Sequence, residues 1–177
     1  MAPLRHNRGM RLLIAIAALA VLGASSAVAS TRVAAPCRAS ELTGSFQAVP
    51  NSAGAGNIVY TLRLHNASRA TCFVTGIPGV QLLGKHGKPL PTHASPTFPG
   101  ALTAILVTLA PGKSAKATAR FSPDVPGSGE GHVGACERTS YRLRVTPNGG
   151  GTLIVGITPP TAVCEHGAMK FSALGFG

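Results

Sequence analysis

The sequence predicts an all-β fold, an immunoglobulin-like β-sandwich of seven to nine short antiparallel strands with two disulfides. Three observations predict it. Apolar and polar residues alternate at period two in several runs, clusters of Gly, Pro and Ser separate those runs, and four cysteines follow an N-terminal export signal. Outside that signal no ten-residue stretch carries apolar side chains at the three- and four-residue spacing of a helix.

The signal comes first in the chain. Arg5, Arg8 and Arg11 make a positive start, Leu12 to Leu22 is an uncharged apolar run, and Ala27-Val28-Ala29 offers small residues to a signal peptidase. Cleavage is expected before Ser30. The apolar run is shorter than the roughly 20 residues of a spanning helix, so no transmembrane span is expected after cleavage. Cys37 stands well beyond Ala29, so the chain is not expected to be a lipoprotein. The expected organisation is a signal peptide over 1–29, a short linker over 30–36 and a single β-sandwich domain over 37–177. The expected location is secreted or extracytoplasmic, with the cell wall as the natural place of association. The composition resembles that of a GC-rich bacterial genome.

Leu42, Phe46 and Ala48 recur on one face of a first strand, and Ile58, Tyr60, Leu62 and Leu64 alternate with Val59, Thr61, Arg63 and His65 in a second. Asn51 to Gly56 is the loop between them. Further strands are expected over 71–75, 80–83, 102–109, 114–121, 141–145, 153–157 and 169–174, with Ala110-Pro111-Gly112-Lys113 as a strong turn.

An even number of cysteines in an exported chain reads as disulfides, and Cys37, Cys72, Cys136 and Cys164 allow three pairings. Hairpin geometry selects one. Folding the first two strands about their loop brings Cys37 opposite Cys72 to within about two residues, and folding 141–145 onto 153–157 brings Cys136 opposite Cys164 to within about one. The expected bridges are Cys37 with Cys72 and Cys136 with Cys164, each at the open end of a hairpin, where the short Cα separation of a disulfide is met.

A set of short motifs adds a resemblance. Cys37-Arg38, the run Asn66 to Cys72, Gly76-Ile77-Pro78-Gly79-Val80, the run Leu109 to Ser114, the run Phe121 to Pro126 and Leu143-Arg144-Val145-Thr146-Pro147 follow one another in the order of an actinobacterial secreted family called domain of unknown function 4232. The chain resembles that family from Cys37 to Cys164. It departs from the family where Ile77 replaces a frequent aromatic, near Phe121 where a Trp is frequent, and in lacking the lipobox of many relatives. The resemblance implies export and a β fold, and it supplies no activity.

Chemistry is sparse. The chain holds 5 carboxylates against 16 Lys and Arg, for a formal net charge of +11. Removing residues 1–29 takes away three arginines and leaves a basic domain. Glu41, Asp124, Glu130, Glu137 and Glu165 do not form the facing pair a glycosidase needs. Asp124 is the only Asp available to a triad, no Gly-x-Ser-x-Gly elbow is present, and bridged cysteines are not nucleophiles. No enzyme is expected, and no catalytic residue. No metal site and no cofactor are expected either, because His65, His86, His93, His132 and His166 lack the spacing of a metal motif. His166 and Met169 read as a turn after Cys164 and a core methionine. The Gly127 to Gly131 loop reads as a flexible connector.

The positive charge points to an anionic partner. Absence of Trp and of aromatic platforms argues against nucleic acid. The expected partner is an anionic cell-wall polymer or an envelope protein, and the candidate patch is Lys116, Arg120, Arg142 and Arg144, which alternate with apolar residues on their strands. The expected function is therefore an exported, non-catalytic binding or interaction module of the bacterial cell envelope. A secreted small-molecule or metal-binding protein is the alternative, and a hydrolase the third.

Overall fold

The computed structural model describes residues 33–100, 105–131 and 136–177. The expected signal peptide, its cleavage site, His132 and the first part of the expected strand over 102–109 lie outside the described residues. Among the described residues no helix is long and apolar enough to cross a membrane.

The fold is all-β and sandwich-like. Its strands are β1 (Ala35–Pro36), β2 (Leu42–Ala48), β3 (Ile58–Asn66), β4 (Cys72–Thr75), β5 (Gly79–Leu83), β6 (His93–Pro96), β7 (Leu106–Leu109), β8 (Ser114–Phe121), β9 (Ser140–Thr146), β10 (Leu153–Thr161), β11 (Ala168–Phe171) and β12 (Gly175–Phe176). One sheet runs β1-β4-β7; the other runs β5-β9-β10-β2-β3-β8-β11-β6, and β12 also pairs with β8. The β2–β3 and β3–β8 ladders are long and antiparallel, from Leu42 opposite Asn66 to Ala48 opposite Tyr60, and from Ile58 opposite Phe121 to His65 opposite Ser114.

Among the described residues twelve strands stand where seven to nine were expected, and the pairing is not wholly antiparallel: β1 with β4, β10 with β2 and β11 with β6 are parallel. The added strands β1, β6 and β12 have two to four residues and no apolar alternation. Neighbouring backbone groups at a sheet edge hold them, and nothing in their side chains announces it. β1 also falls inside the expected linker over 30–36. The N–H of Cys37 donates to the Phe73 carbonyl at 2.8 Å, so the chain is already in the sheet before the first cysteine.

Both expected bridges are present, with Cα separations of 4.9 Å for Cys37–Cys72 and 5.5 Å for Cys136–Cys164. Their surroundings differ. Beyond Ser140, which pairs with Thr161, Cys136 and Cys164 continue the β9–β10 hairpin as expected. The β2–β3 ladder instead stops at Leu42 and Asn66, and the first bridge joins the chain next to β1 to β4 in the other sheet.

The turn before Cys72 explains that departure. Asn66 is fully buried, and its amide donates to the carbonyls of Ala70 at 2.8 Å and Leu109 at 2.9 Å. Its Oδ1 accepts from the Ser68 N–H at 3.0 Å and the Ser68 hydroxyl at 2.8 Å. An amide side chain has two donor hydrogens and two acceptor lone pairs, so all are used. Asn66 thus bends the chain out of β3 and ties the bend to the end of β7.

Inward positions build the core. Phe46, Tyr60 and Phe171 are buried, with ring centroids of Phe46 at 5.1 Å from Tyr60 and 6.4 Å from Phe171. Ala115, Ala117 and Ala119 face the same side from β8, and their small size lets these large neighbours approach that strand. Leu62, Leu64, Leu143 and Val145 complete the interior, and Met169 is buried as expected.

Candidate functional site: a cationic sheet face and a clamped carboxylate

Period two sends the alternate residues of β3 and β8 outward. On β8 these are Lys116, Thr118 and Arg120, all exposed, and on β3 Arg63 is exposed among half-buried Val59, Thr61 and His65. Register brings the charges together: Arg63 stands opposite Lys116, and Arg120 stands opposite Lys170 of β11. Ser45 of β2 stands opposite Arg63 on the other side. The strands β2, β3, β8 and β11 carry these four cations and no carboxylate. Among the described residues no Lys or Arg makes an ion pair.

The expected patch is thereby divided. Arg142 and Arg144 also alternate outward, on β9, where Arg144 faces Gln81 and Ile154 and Arg142 faces Leu83 and Gly156. Three strands, β10, β2 and β3, stand between β9 and β8. At about 4.8 Å per step this is roughly 19 Å along the sheet. Lys116 and Arg120 therefore group with Arg63 and Lys170, two residues that the alternation within single strands does not connect to them. Only the register across strands does.

A second feature lies beside the Cys136–Cys164 bridge. After Cys164 the backbone of Glu165, His166 and Gly167 is left-handed, with φ of 55°, 56° and 79°. Gly167 is required there: a Cβ would lie 2.0 Å from the Pro91 carbonyl oxygen. This turn aims the N–H groups of Glu165 and His166 at one carboxylate, that of Glu130, whose side chain is 2% exposed. Glu130 Oε2 accepts from Gly127 N–H at 2.5 Å and Glu165 N–H at 2.8 Å, and Oε1 accepts from His166 N–H. Burial pushes the Glu130 carboxyl up, but the three backbone donors and the His166 imidazole outweigh it and hold the group below the usual carboxylate range. The Gly127 to Gly131 segment, expected to be a plain connector, is pinned at its centre. His166 Nε2 lies 2.9 Å from the Ser128 carbonyl oxygen and closes the same loop. Glu137, beside Cys136, places a carboxylate oxygen within 4.8 Å of donor atoms of Glu130 and His166.

Two long-range tethers and one buried amide therefore organise the segment between residues 37 and 174, and a family model matches that same span. The chain belongs to the family described as Domain of unknown function (DUF4232). No curated protein and no solved structure matches it. In this DUF4232 domain the run Asn66 to Cys72 is the hydrogen-bonded bend described above, and its cysteine is bridged. The matched span ends at Leu174, which is fully buried and whose N–H donates to the Gly76 carbonyl at 2.9 Å. Glu130 and Glu137 of the DUF4232 domain gave no sequence signal as a pair. They stand seven positions apart in the sequence; the disulfide holds Glu137 near His166, and the backbone donors hold Glu130 there.

Proposed function

We propose that this protein is an exported, non-catalytic binding module of the bacterial cell envelope, and that the outer face of β2, β3, β8 and β11 takes a phosphate- or carboxylate-bearing wall polymer. The observation that carries the reading is the juxtaposition of like charges. Arg63 with Lys116 and Arg120 with Lys170 are direct cross-strand pairs, an arrangement that costs stability when nothing neutralises it. An extended polyanion lying across the ladder relieves that repulsion and meets all four cations.

Export is supported by two disulfides, which persist in oxidising compartments. A non-catalytic role is supported by the use made of the carboxylates: Glu41 accepts from the Arg38 N–H at 2.7 Å and Glu130 is held by three backbone donors. Wall polymer is favoured over nucleic acid because the face presents Ser45, Thr61 and Thr118 between its cations, and the outward residues of its four strands include no Phe, Tyr or Trp on which bases would stack.

Co-sedimentation with intact cell walls, compared with walls stripped of their anionic polymers, tests the reading. Retention on intact walls and loss on stripped walls is expected. Equal retention on both, or retention on neither, contradicts it.

A further inference from the structure

We propose that Glu130, Glu137 and His166 form a binding site for a first-row divalent cation, with zinc the ion their donors suit. The site is independent of the cationic face and rests on different residues.

Three arrangements point to a cation. First, the Ser128 carbonyl only accepts, so His166 Nε2 carries a ring proton, and in the neutral ring Nδ1 is the nitrogen with a free lone pair. A backbone carbonyl holding the far nitrogen of the ring is the usual way a ligand histidine is oriented. Second, that Nδ1 is turned to Glu130 Oε1 at 3.7 Å. The distance is beyond a hydrogen bond, yet it suits two ligands of one ion: bonds of about 2.1 Å to nitrogen and about 2.2 Å to oxygen, the long end of the usual ranges, enclose an angle of about 120° at the metal. Third, Glu130 and Glu137 are two of only 5 carboxylates in a chain with 16 Lys and Arg, and neither pairs with any of those cations among the described residues. Two anions side by side in so basic a protein are stabilised by a shared cation.

The frame is rigid where it matters. Glu130 is fixed by the N–H groups of Gly127, Glu165 and His166, and the Cys136–Cys164 bridge holds the Glu137 and His166 backbones together. Half-buried Glu137 is the adjustable member, and its side chain closes on the ion. Two carboxylate oxygens and one imidazole nitrogen leave a tetrahedral ion one open position, which faces solvent because His166 is 53% exposed.

The test uses untagged, oxidised protein freed of metal with a chelator. Zinc should raise the melting temperature with saturation at one equivalent, as a ligand of the native state does. His166→Ala and Glu137→Gln, both at solvent-accessible positions, should each abolish the rise, while His65→Ala should leave it intact. In the unaltered protein one equivalent of zinc should shift the His166 Nδ1 NMR resonance and leave the Nε2 proton in place. A melting temperature and a His166 spectrum indifferent to zinc overturn the proposal. So does a rise that survives both substitutions.

Discussion

Arg63 and Lys116 face each other across the β3–β8 ladder, and neither makes an ion pair among the described residues. Like charges directly opposite on a sheet destabilise it by about 0.2–1 kcal/mol relative to a neutral pair. Reversing one member turns repulsion into attraction. Arg63→Glu is therefore expected to raise the melting temperature by about 2–4 °C for each kcal/mol gained, while weakening retention on anionic walls. A thermal melt read beside a sedimentation assay checks the two opposite signs. A variant that is less stable and binds equally well would show that the pairing serves packing alone.

Asn66 makes a different prediction because every hydrogen-bonding site of its amide is used inside the protein. Asn66→Ala strands the buried Leu109 carbonyl and leaves the part-buried Ser68 N–H without its acceptor, while the exposed Ala70 carbonyl keeps the Ser68 hydroxyl as a donor. Each buried group left unpaired costs about 1–3 kcal/mol. Denaturant unfolding should show a loss of about 2 kcal/mol or more, with the slope of the transition unchanged. A loss under about 1 kcal/mol would mean the bend is held by the Cys37–Cys72 bridge instead.

Gly167 and Glu130 should behave as one unit. Gly167→Ala forces a Cβ into the Pro91 carbonyl on a left-handed backbone, where strain alone costs about 1–3 kcal/mol. Glu130→Gln keeps the size of the side chain but sets an NH2 group against backbone donors. Hydrogen exchange is the direct reading. In Glu130→Gln the amides of Gly127, Glu165 and His166 should exchange faster, while those of β3 and β8 keep their protection. Uniform acceleration across the domain would contradict a local clamp.

Ser140 tests the accounting of polar groups in the interior. It is 1% exposed, and its hydroxyl is the buried side-chain atom without a hydrogen-bond partner among the described residues. Removing an unpaired buried hydroxyl relieves a desolvation cost. Ser140→Ala should be neutral or stabilising by about 1 kcal/mol in a thermal melt. A clear loss of stability would reveal a partner that the hydroxyl needs.

Strands with alternating apolar residues were legible from sequence to within a few positions. β3 and β8 bury alternate side chains and β2 buries Leu42 and Phe46 on one face, a pattern that is a physical consequence of the pleat. The Cys136–Cys164 pairing was legible because the register of its hairpin is fixed by the loop; Cys37 pairs with Cys72 as expected, but beside β1 and β4 and not on the β2–β3 hairpin. β1 and β6 were not legible, since Ala35–Pro36 and His93–Pro96 carry no alternation and owe their conformation to partners far away in sequence. The same division holds at the sites. Lys116 and Arg120 could be assigned to one face from their own strand, but their grouping with Arg63 and Lys170 and their separation from Arg142 and Arg144 depend on strand order. The Glu130 clamp depends on consecutive left-handed residues at Glu165 and His166, a conformation neither residue type announces.

The central claim is that the β2, β3, β8 and β11 face binds an anionic polymer through its four cations. The most direct measurement is the affinity of the oxidised protein for purified anionic wall polymer as a function of salt, made on the unaltered chain, on Lys116→Glu with Arg120→Glu, and on Arg142→Glu with Arg144→Glu. Exposed charges are screened over about 8 Å at 0.15 M ionic strength and over about 30 Å at 0.01 M. The unaltered chain should therefore bind at low salt and lose most of its affinity by physiological salt. The β8 pair of reversals should abolish binding at every salt concentration, and the β9 pair, on the far side of three strands, should leave most of it. No binding at low salt, or equal loss from the two double variants, would contradict the account.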